Sequence, residues 1–236
     1  MQIAFVPGQS DGVHSHDLFY SRRSVRAFLP TPIPFETIEK ILLAAARAPS
    51  GTNTQPWKVA VLTESSLSEL TAKLLAAAAD PQRSEKYHEE YAYYPKQWTS
   101  PYLERRRKIG YDMYGLLGMG RREVERMREQ WNRNFEFFGA PVGFMFTIDR
   151  VMEQGSWLDY GMFLQSLMLA ARAEGLDTCP QAAFNEFHSI ILPHIGAGEN
   201  ESLVCGMSLG YADPDAVVNT LQTERASLEE FVRFLE

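Results

Sequence analysis

The chain has 236 residues, 45% of them apolar, and a formal net charge of −7. That length and composition suit one domain with a sizeable core, and the acidic balance argues against a nucleic-acid partner. Its two cysteines, Cys179 and Cys205, lie in apolar stretches without a C-x-x-C pair, which points to reduced core thiols and a cytoplasmic setting. No basic region followed by an apolar run opens the sequence, and no uncharged run is long enough for a bilayer. Neither a signal peptide nor a membrane partner is therefore expected.

Residues 1–17 are polar and read as a flexible N-terminal arm. His14 and His16 alone make a poor metal site, and no metal is expected. Ser21-Arg22-Arg23-Ser24-Val25-Arg26 then packs three arginines and two serines into six residues, ahead of Phe28 and Pro30. Forked guanidinium donors at that density suit a phosphate or another small dianion. On a helix Arg22 and Arg26 would share a side while Arg23 pointed elsewhere; a solvated basic turn is the competing reading. Thr31-Pro32-Ile33-Pro34 is an extended linker. A helix is expected over 36–47, with Ile38, Ile41, Leu42 and Ala45 at core spacing, and Pro49 ends it. Trp57–Leu62 reads as a buried strand. Ser66-x-x-Glu69 reads as a capping box that opens a helix over 67–79.

Residues 80–140 have a different texture. Tyr87, Tyr91, Tyr93, Tyr94, Trp98 and Tyr102 crowd a polar stretch that leads into Arg105-Arg106-Arg107-Lys108. Acidic neighbours such as Glu89, Glu90 and Glu104 argue against nucleic acid. A lid or insertion stacking on a flat ligand is one reading, and a solvated helical hairpin is the other. A helix over 121–137 is expected to turn Met127, Trp131 and Phe135 inward. Gly143–Ile148 reads as a central strand. The segment 157–174 is apolar around most of a helical circumference, which predicts a helix buried on nearly every side, either central or shared with a second subunit. Gly175 supplies its C-cap. Residues 179–184 read as a loop of small residues, Leu203–Leu209 as another buried strand, and Ser227-x-x-Glu230 as the cap of a last short helix. Helices and strands do not alternate regularly, so the expected class is α+β, with a single domain over 18–236.

No proteolytic or metalloprotease pattern is present, and His188 and His194 read as structural. The absence of G-x-G-x-x-G and of a Walker loop excludes a Rossmann crevice or P-loop. What remains are the arginine cluster, the loop at 48–57, the small-residue loop at 179–183 and a late cation, Arg225.

These segments read R-R-S-V-R-x-F at 22–28, A-P-S-G-T-N-T-Q-P-W at 48–57, G-L-D-T-C-P-Q-A at 175–182 and M-S-L-G-Y-A-D at 207–213. In that order they resemble the FMN-dependent nitroreductase family, most of all its bacterial reductases of nitrobenzene and nitrobenzoate. The resemblance implies an intertwined homodimer, with a mostly antiparallel sheet flanked by helices and FMN at the subunit interface. By the same resemblance Arg22, Arg23, Ser24 and Arg225 hold the FMN phosphate and ribityl chain, and Arg26 sits near flavin N1 and O2. Pro49, Ser50, Gly51 and Asn53 reach the flavin from the other subunit, and Ala182 and Ala183 face N5. Many relatives carry a further basic residue shortly before the late arginine, where this chain has Asn219 and Gln222. The implied reaction is ping-pong: NAD(P)H as co-substrate reduces the flavin, and a small nitroaromatic compound is then reduced to nitroso and hydroxylamine products. No protein side chain is assigned as catalytic. Reductive dehalogenation of the deiodinase kind, flavin fragmentation by oxygen, and non-catalytic flavin binding are the rival readings. NADH against NADPH, and the role of 80–140, stay open.

Overall fold

A computed structural model describes residues 15–235 of the chain. Most of the expected N-terminal arm, His14 included, lies outside the described residues. Helix α1 (Ser15–Ser21) leads into the arginine cluster.

The sheet is built around β2 (Val142–Asp149), in which Val142, Phe144, Phe146 and Ile148 alternate with Gly143, Met145 and Thr147. Both sets are buried, so this strand has to lie inside a sheet covered on both faces. It pairs antiparallel with β1 (Lys58–Thr63) on one side and β4 (Glu201–Gly210) on the other. The fourth strand, β3 (Asp177–Gln181), pairs antiparallel with β4, giving the order β1-β2-β4-β3. A bulge beside Phe146 and Thr147 lets consecutive residues of β4, Val204 and Cys205, both join the core on one face.

That face is covered by α2 (Phe35–Ala45) and α7 (Gln154–Ala173). The opposite face is covered by α3 (Glu64–Ala79), α8 (His188–His194) and a phenylalanine cluster drawn from two 3-10 segments, Arg133–Gly139 and Ala182–Phe187. Between α3 and β2 run α4 (Arg83–Lys86), an irregular stretch over 87–101, α5 (Tyr102–Leu116) and α6 (Val124–Asn132). The chain closes with α9 (Leu228–Phe231), where the Ser227 N–H donates to Glu230 Oε1 at 2.9 Å as the sequence predicts.

Three expectations need correction. Helix α3 starts at Glu64, because β1 feeds it without a linker. Thr63 is the N-cap, and Ser66 sits at the third helical position, accepting from the Thr63 N–H at 3.1 Å. The helix expected over 121–137 ends at Asn132. Phe135 and Phe137 would fall on opposite sides of an α-helix, whereas the 3-10 segment, with Phe137 and Phe138 at φ 50° and 56°, buries Phe135, Phe137 and Phe138 together. The loop expected over 179–184 is half strand: Cys179, Pro180 and Gln181 belong to β3, an edge strand that tolerates a proline. Helix α7, expected to be either central or shared with a second subunit, is not covered all round by its own chain. Tyr160, Phe163 and Leu167 are buried, whereas Leu158 is 72% exposed.

Candidate functional site

The edge strand β3 positions the site. Just after α1 the chain runs alongside it, with Ser24 bridging Thr178 in parallel and the Val25 N–H donating to the Thr178 carbonyl at 3.1 Å. Apolar Val25, Ala27 and Phe28 are buried and fix the backbone, so the polar residues between them turn outward into a cleft of 640 Å³. Arg22, Arg23, Ser24 and Arg26 line it together with Arg225 from the C-terminal segment. The sequence-predicted arginine cluster and the late arginine, two hundred residues apart, thus meet in one cavity.

The electrostatics are those of an anion site. Among the described residues no carboxylate lies within ion-pair distance of Arg22, Arg23, Arg26 or Arg225. Burial, and then the like charge of Arg225, push the Arg22 guanidinium below its ordinary pKa. A group destabilised in its charged form is relieved by an anion. Arg172, from the last turn of α7, lines the same cleft; it pairs with Asp177 at 2.9 Å, and its buried Nε lacks a hydrogen-bond partner. Sequence reasoning missed Arg172, and its place at a helix C-terminus next to a strand was the signal that could have found it.

Asn219 answers the departure noted in the sequence. It is 5% exposed, and its Oδ1 accepts from the Arg26 backbone N–H at 2.9 Å. Its Nδ2 donates to the carbonyls of Ala27 at 2.8 Å and Asp213 at 2.9 Å. This amide ties the C-terminal segment to the arginine turn.

Arg26 also lines a second cleft, of 300 Å³, with Cys179, Pro180, Gln181, Ala182 and Ala183 on its floor. β3 therefore runs from the cationic cleft to the small-residue one, and Arg26 stands where the two meet. The floor is rigid. Buried Gln181 accepts from Ser208 Oγ at 2.7 Å and donates to the Asn134 carbonyl at 2.7 Å. Behind Ala182 and Ala183 the Phe184 ring rests on Gly206 of β4, where a Cβ would overlap the ring. Ala182 and Ala183 leave their backbone approachable because they add so little side chain.

The irregular stretch 87–101 forms the opposite wall. Its root is pinned by fully buried Asn185, which accepts from the Glu90 N–H at 3.0 Å and donates to the Tyr91 carbonyl at 2.8 Å. Beyond the root, Tyr93 and Tyr94 face the cleft with ring centroids 4.7 Å apart.

Pro49, Ser50, Gly51 and Asn53 line neither cleft. Their loop is exposed and anchored on α7, where the Gly51 N–H donates to Asp159 Oδ2 at 3.0 Å. A single chain thus brings together Arg22, Arg23, Ser24, Arg26, Arg225, Ala182 and Ala183, and leaves the second loop apart. Neither histidine reaches a cleft: His194 bonds Lys73 and the Ser66 carbonyl, and His188 lies 3.8 Å from Glu90. Burial pushes the thiols of Cys179 and Cys205 up to about 11 and about 12, so neither is a nucleophile at neutral pH. Among the described residues no group of His, Cys, Asp and Glu could hold a metal ion, and no helix is long and apolar enough to cross a membrane.

The nitroreductase family model matches residues 20–211. A 4-nitrobenzoate reductase of Pseudomonas putida is 45% identical over 91% of this chain and 92% of its own length. An FMN- and NADPH-dependent nitroreductase from sphigopyxis sp. strain HMH superposes with a TM-score of 0.91 at 32% identity, covering 95% of this chain and all of that one. The FMN-dependent nitroreductase NfnB from Mycobacterium smegmatis, solved in complex with NADPH, gives 0.88 at 33% identity over 94% of this chain and 98% of that one. An iodotyrosine deiodinase of Haliscomenobacter hydrossis matches over only 35% of this chain and 39% of its own length. The arginine turn, the sheet with its β3 edge and the small-residue floor all fall inside the matched region, and the chain belongs to the nitroreductase family.

Proposed function

We propose that this protein is an FMN-dependent NAD(P)H oxidoreductase that reduces nitroaromatic compounds, as a cytoplasmic homodimer. The observation that carries the reading is the junction at Arg26, where a cleft whose Arg22, Arg23 and Arg225 have no ion pair among the described residues opens into one floored by alanines. FMN fits both halves. Arg22, Arg23, Ser24 and Arg225 supply the donors for its phosphate and ribityl chain, Arg172 offers a further buried donor, and Arg26 lies where a cation would favour negative charge near N1 and O2. The backbone at Ala182 and Ala183 is left open towards N5. Bound there, the flavin supplies two-electron transfer from a nicotinamide to a nitro group.

The rest is the work of the chain itself. The arginine turn binds and orients, the Gln181 bridge keeps the floor in place, and the segment over 80–140 acts as the lid. Tyr93 and Tyr94 offer flat faces against which a nitroarene stacks. The uncovered side of α7, with Leu158 exposed, suits a partner subunit. In that assembly the loop carrying Pro49, Ser50, Gly51 and Asn53 reaches the partner's flavin. The buried, reduced Cys179 and Cys205 accord with the cytoplasm.

The test is an absorbance spectrum of the gel-filtered protein, followed by anaerobic NADPH or NADH and then nitrobenzene or 4-nitrobenzoate. A yellow dimer that bleaches with the nicotinamide and regains its colour with the nitro compound is expected. A yellow protein that neither nicotinamide bleaches overturns the reductase reading, and a colourless one unable to take up FMN overturns the cofactor as well.

A further inference from the structure

The run Arg105-Arg106-Arg107-Lys108 does not act as one patch, because α5 divides it by helical phase. Arg105 and Lys108, three apart, face the C-terminal segment, while Arg106 lies over the Trp98 ring at 4.9 Å on the lid side. Arg105 pairs with Glu230 at 2.7 Å, and Lys108, which bonds Asp112 of its own helix at 2.8 Å, also reaches Glu224 at 3.4 Å. Those two carboxylates flank Arg225 in sequence. Between them the chain is turned by the Ser227–Glu230 capping box, and Arg225 Nη1 donates to Thr223 Oγ1 at 2.6 Å and to the Glu224 carbonyl at 2.9 Å. Ile109, one residue beyond Lys108, lines the cationic cleft itself.

We propose that Arg105 and Lys108 are positioning residues for the phosphate grip: they strap residues 223–230 to α5 and so hold Arg225 in the cleft. The inference rests on FMN occupying that cleft. It also couples the lid segment to the cofactor, since α5 belongs to the one and grips the other. The Arg105–Glu230 pair is about half exposed and Glu224 more so, and each pair acts modestly alone, but the strap has little else to order it. The C-terminal residues 222–225 and 227–231 are exposed.

The experiment titrates the full-length apoprotein with FMN and, separately, with riboflavin, which lacks the phosphate. Arg105→Gln/Lys108→Gln should raise the FMN dissociation constant on the order of fivefold and leave riboflavin binding within about twofold of wild type. The charge swap Lys108→Glu/Glu224→Lys, which leaves the Ser227–Glu230 capping box intact, should recover most of the FMN affinity that Lys108→Glu alone loses. Equal weakening of FMN and riboflavin would mean a general structural role, and no recovery in the swap would mean direct attraction of the phosphate by Lys108. Either result, or unchanged FMN affinity in the double variant, overturns the inference. Wild-type protein that binds neither flavin would instead overturn the cofactor reading.

Discussion

Arg83 donates from Nε at 2.6 Å and Nη2 at 2.5 Å to the two carboxylate oxygens of Glu186, and its guanidinium lies 4.6 Å from the centre of the Trp131 ring. Arg22 has no carboxylate partner among the described residues and sits close enough to Arg225 to feel its charge. Both side chains are half-buried. The first has every strong partner a guanidinium can use, and the second is denied them. The difference separates scaffold from site more cleanly than burial or motif. The cations of the arginine turn are ones the fold declines to neutralise, which is what the proposed phosphate grip requires.

Breaking the paired arginine should have the largest effect on stability. Arg83→Ala leaves Glu186 without its counterion, with both side chains only about a fifth exposed. Equilibrium urea unfolding should show a loss of about 2–3 kcal/mol. Adding Glu186→Leu should restore much of it, because the cost is an uncompensated charge. A loss below about 0.5 kcal/mol would put the pair in the class of surface bridges.

Breaking the unpaired arginine should leave stability alone and strike at binding. Arg22→Gln removes a cation whose charged form the fold disfavours. Its depressed pKa means that protonation works against the native state, so the urea midpoint of the apoprotein should stay equal or rise slightly. FMN affinity should fall about tenfold to a hundredfold, the worth of a charge-assisted contact. A drop in apoprotein stability without a change in FMN affinity would reverse the comparison.

Asn219 sharpens it from between the two. Asn219→Ala takes a partner from the Arg26 N–H and donors from two carbonyls. A stability loss of about 1–2 kcal/mol is expected, with a smaller weakening of FMN, about threefold. Thermal unfolding and FMN titration of the same variant separate these effects.

Legibility in the sequence followed locality. The arginine turn was readable because its donors are contiguous, and β2 and β4 because burial on both faces leaves apolar runs. Helix α9 announced itself through a capping box spanning four residues. The capping box at α3 was misplaced because Thr63 ends a strand and caps a helix at once, and nothing at Ser66 records that double duty. The break at Asn132 was invisible because it answers to Phe184 and Phe187, which share a cluster with Phe135, Phe137 and Phe138. The role of Arg83 was hidden for the same reason: its partner Glu186 lies a hundred residues away. Arg172 and Asn219 show the same limit inside the site. Each is ordinary in its local context and is given its role by a segment that arrives from elsewhere in the chain.

The contact of Phe184 with Gly206 bears on how such a protein diversifies. A methyl group at the centre of β4 would lift the ring and, with it, the turn that begins at Ala182. The floor of the cleft is therefore welded to the middle of the sheet and cannot drift by small steps. Mutational libraries built to broaden the range of compounds accepted should yield little from residues 181–187 and 206. The productive diversity should come from the roof, beyond the anchored residues at 90 and 91, where side chains are exposed and a loop can lengthen without disturbing a strand.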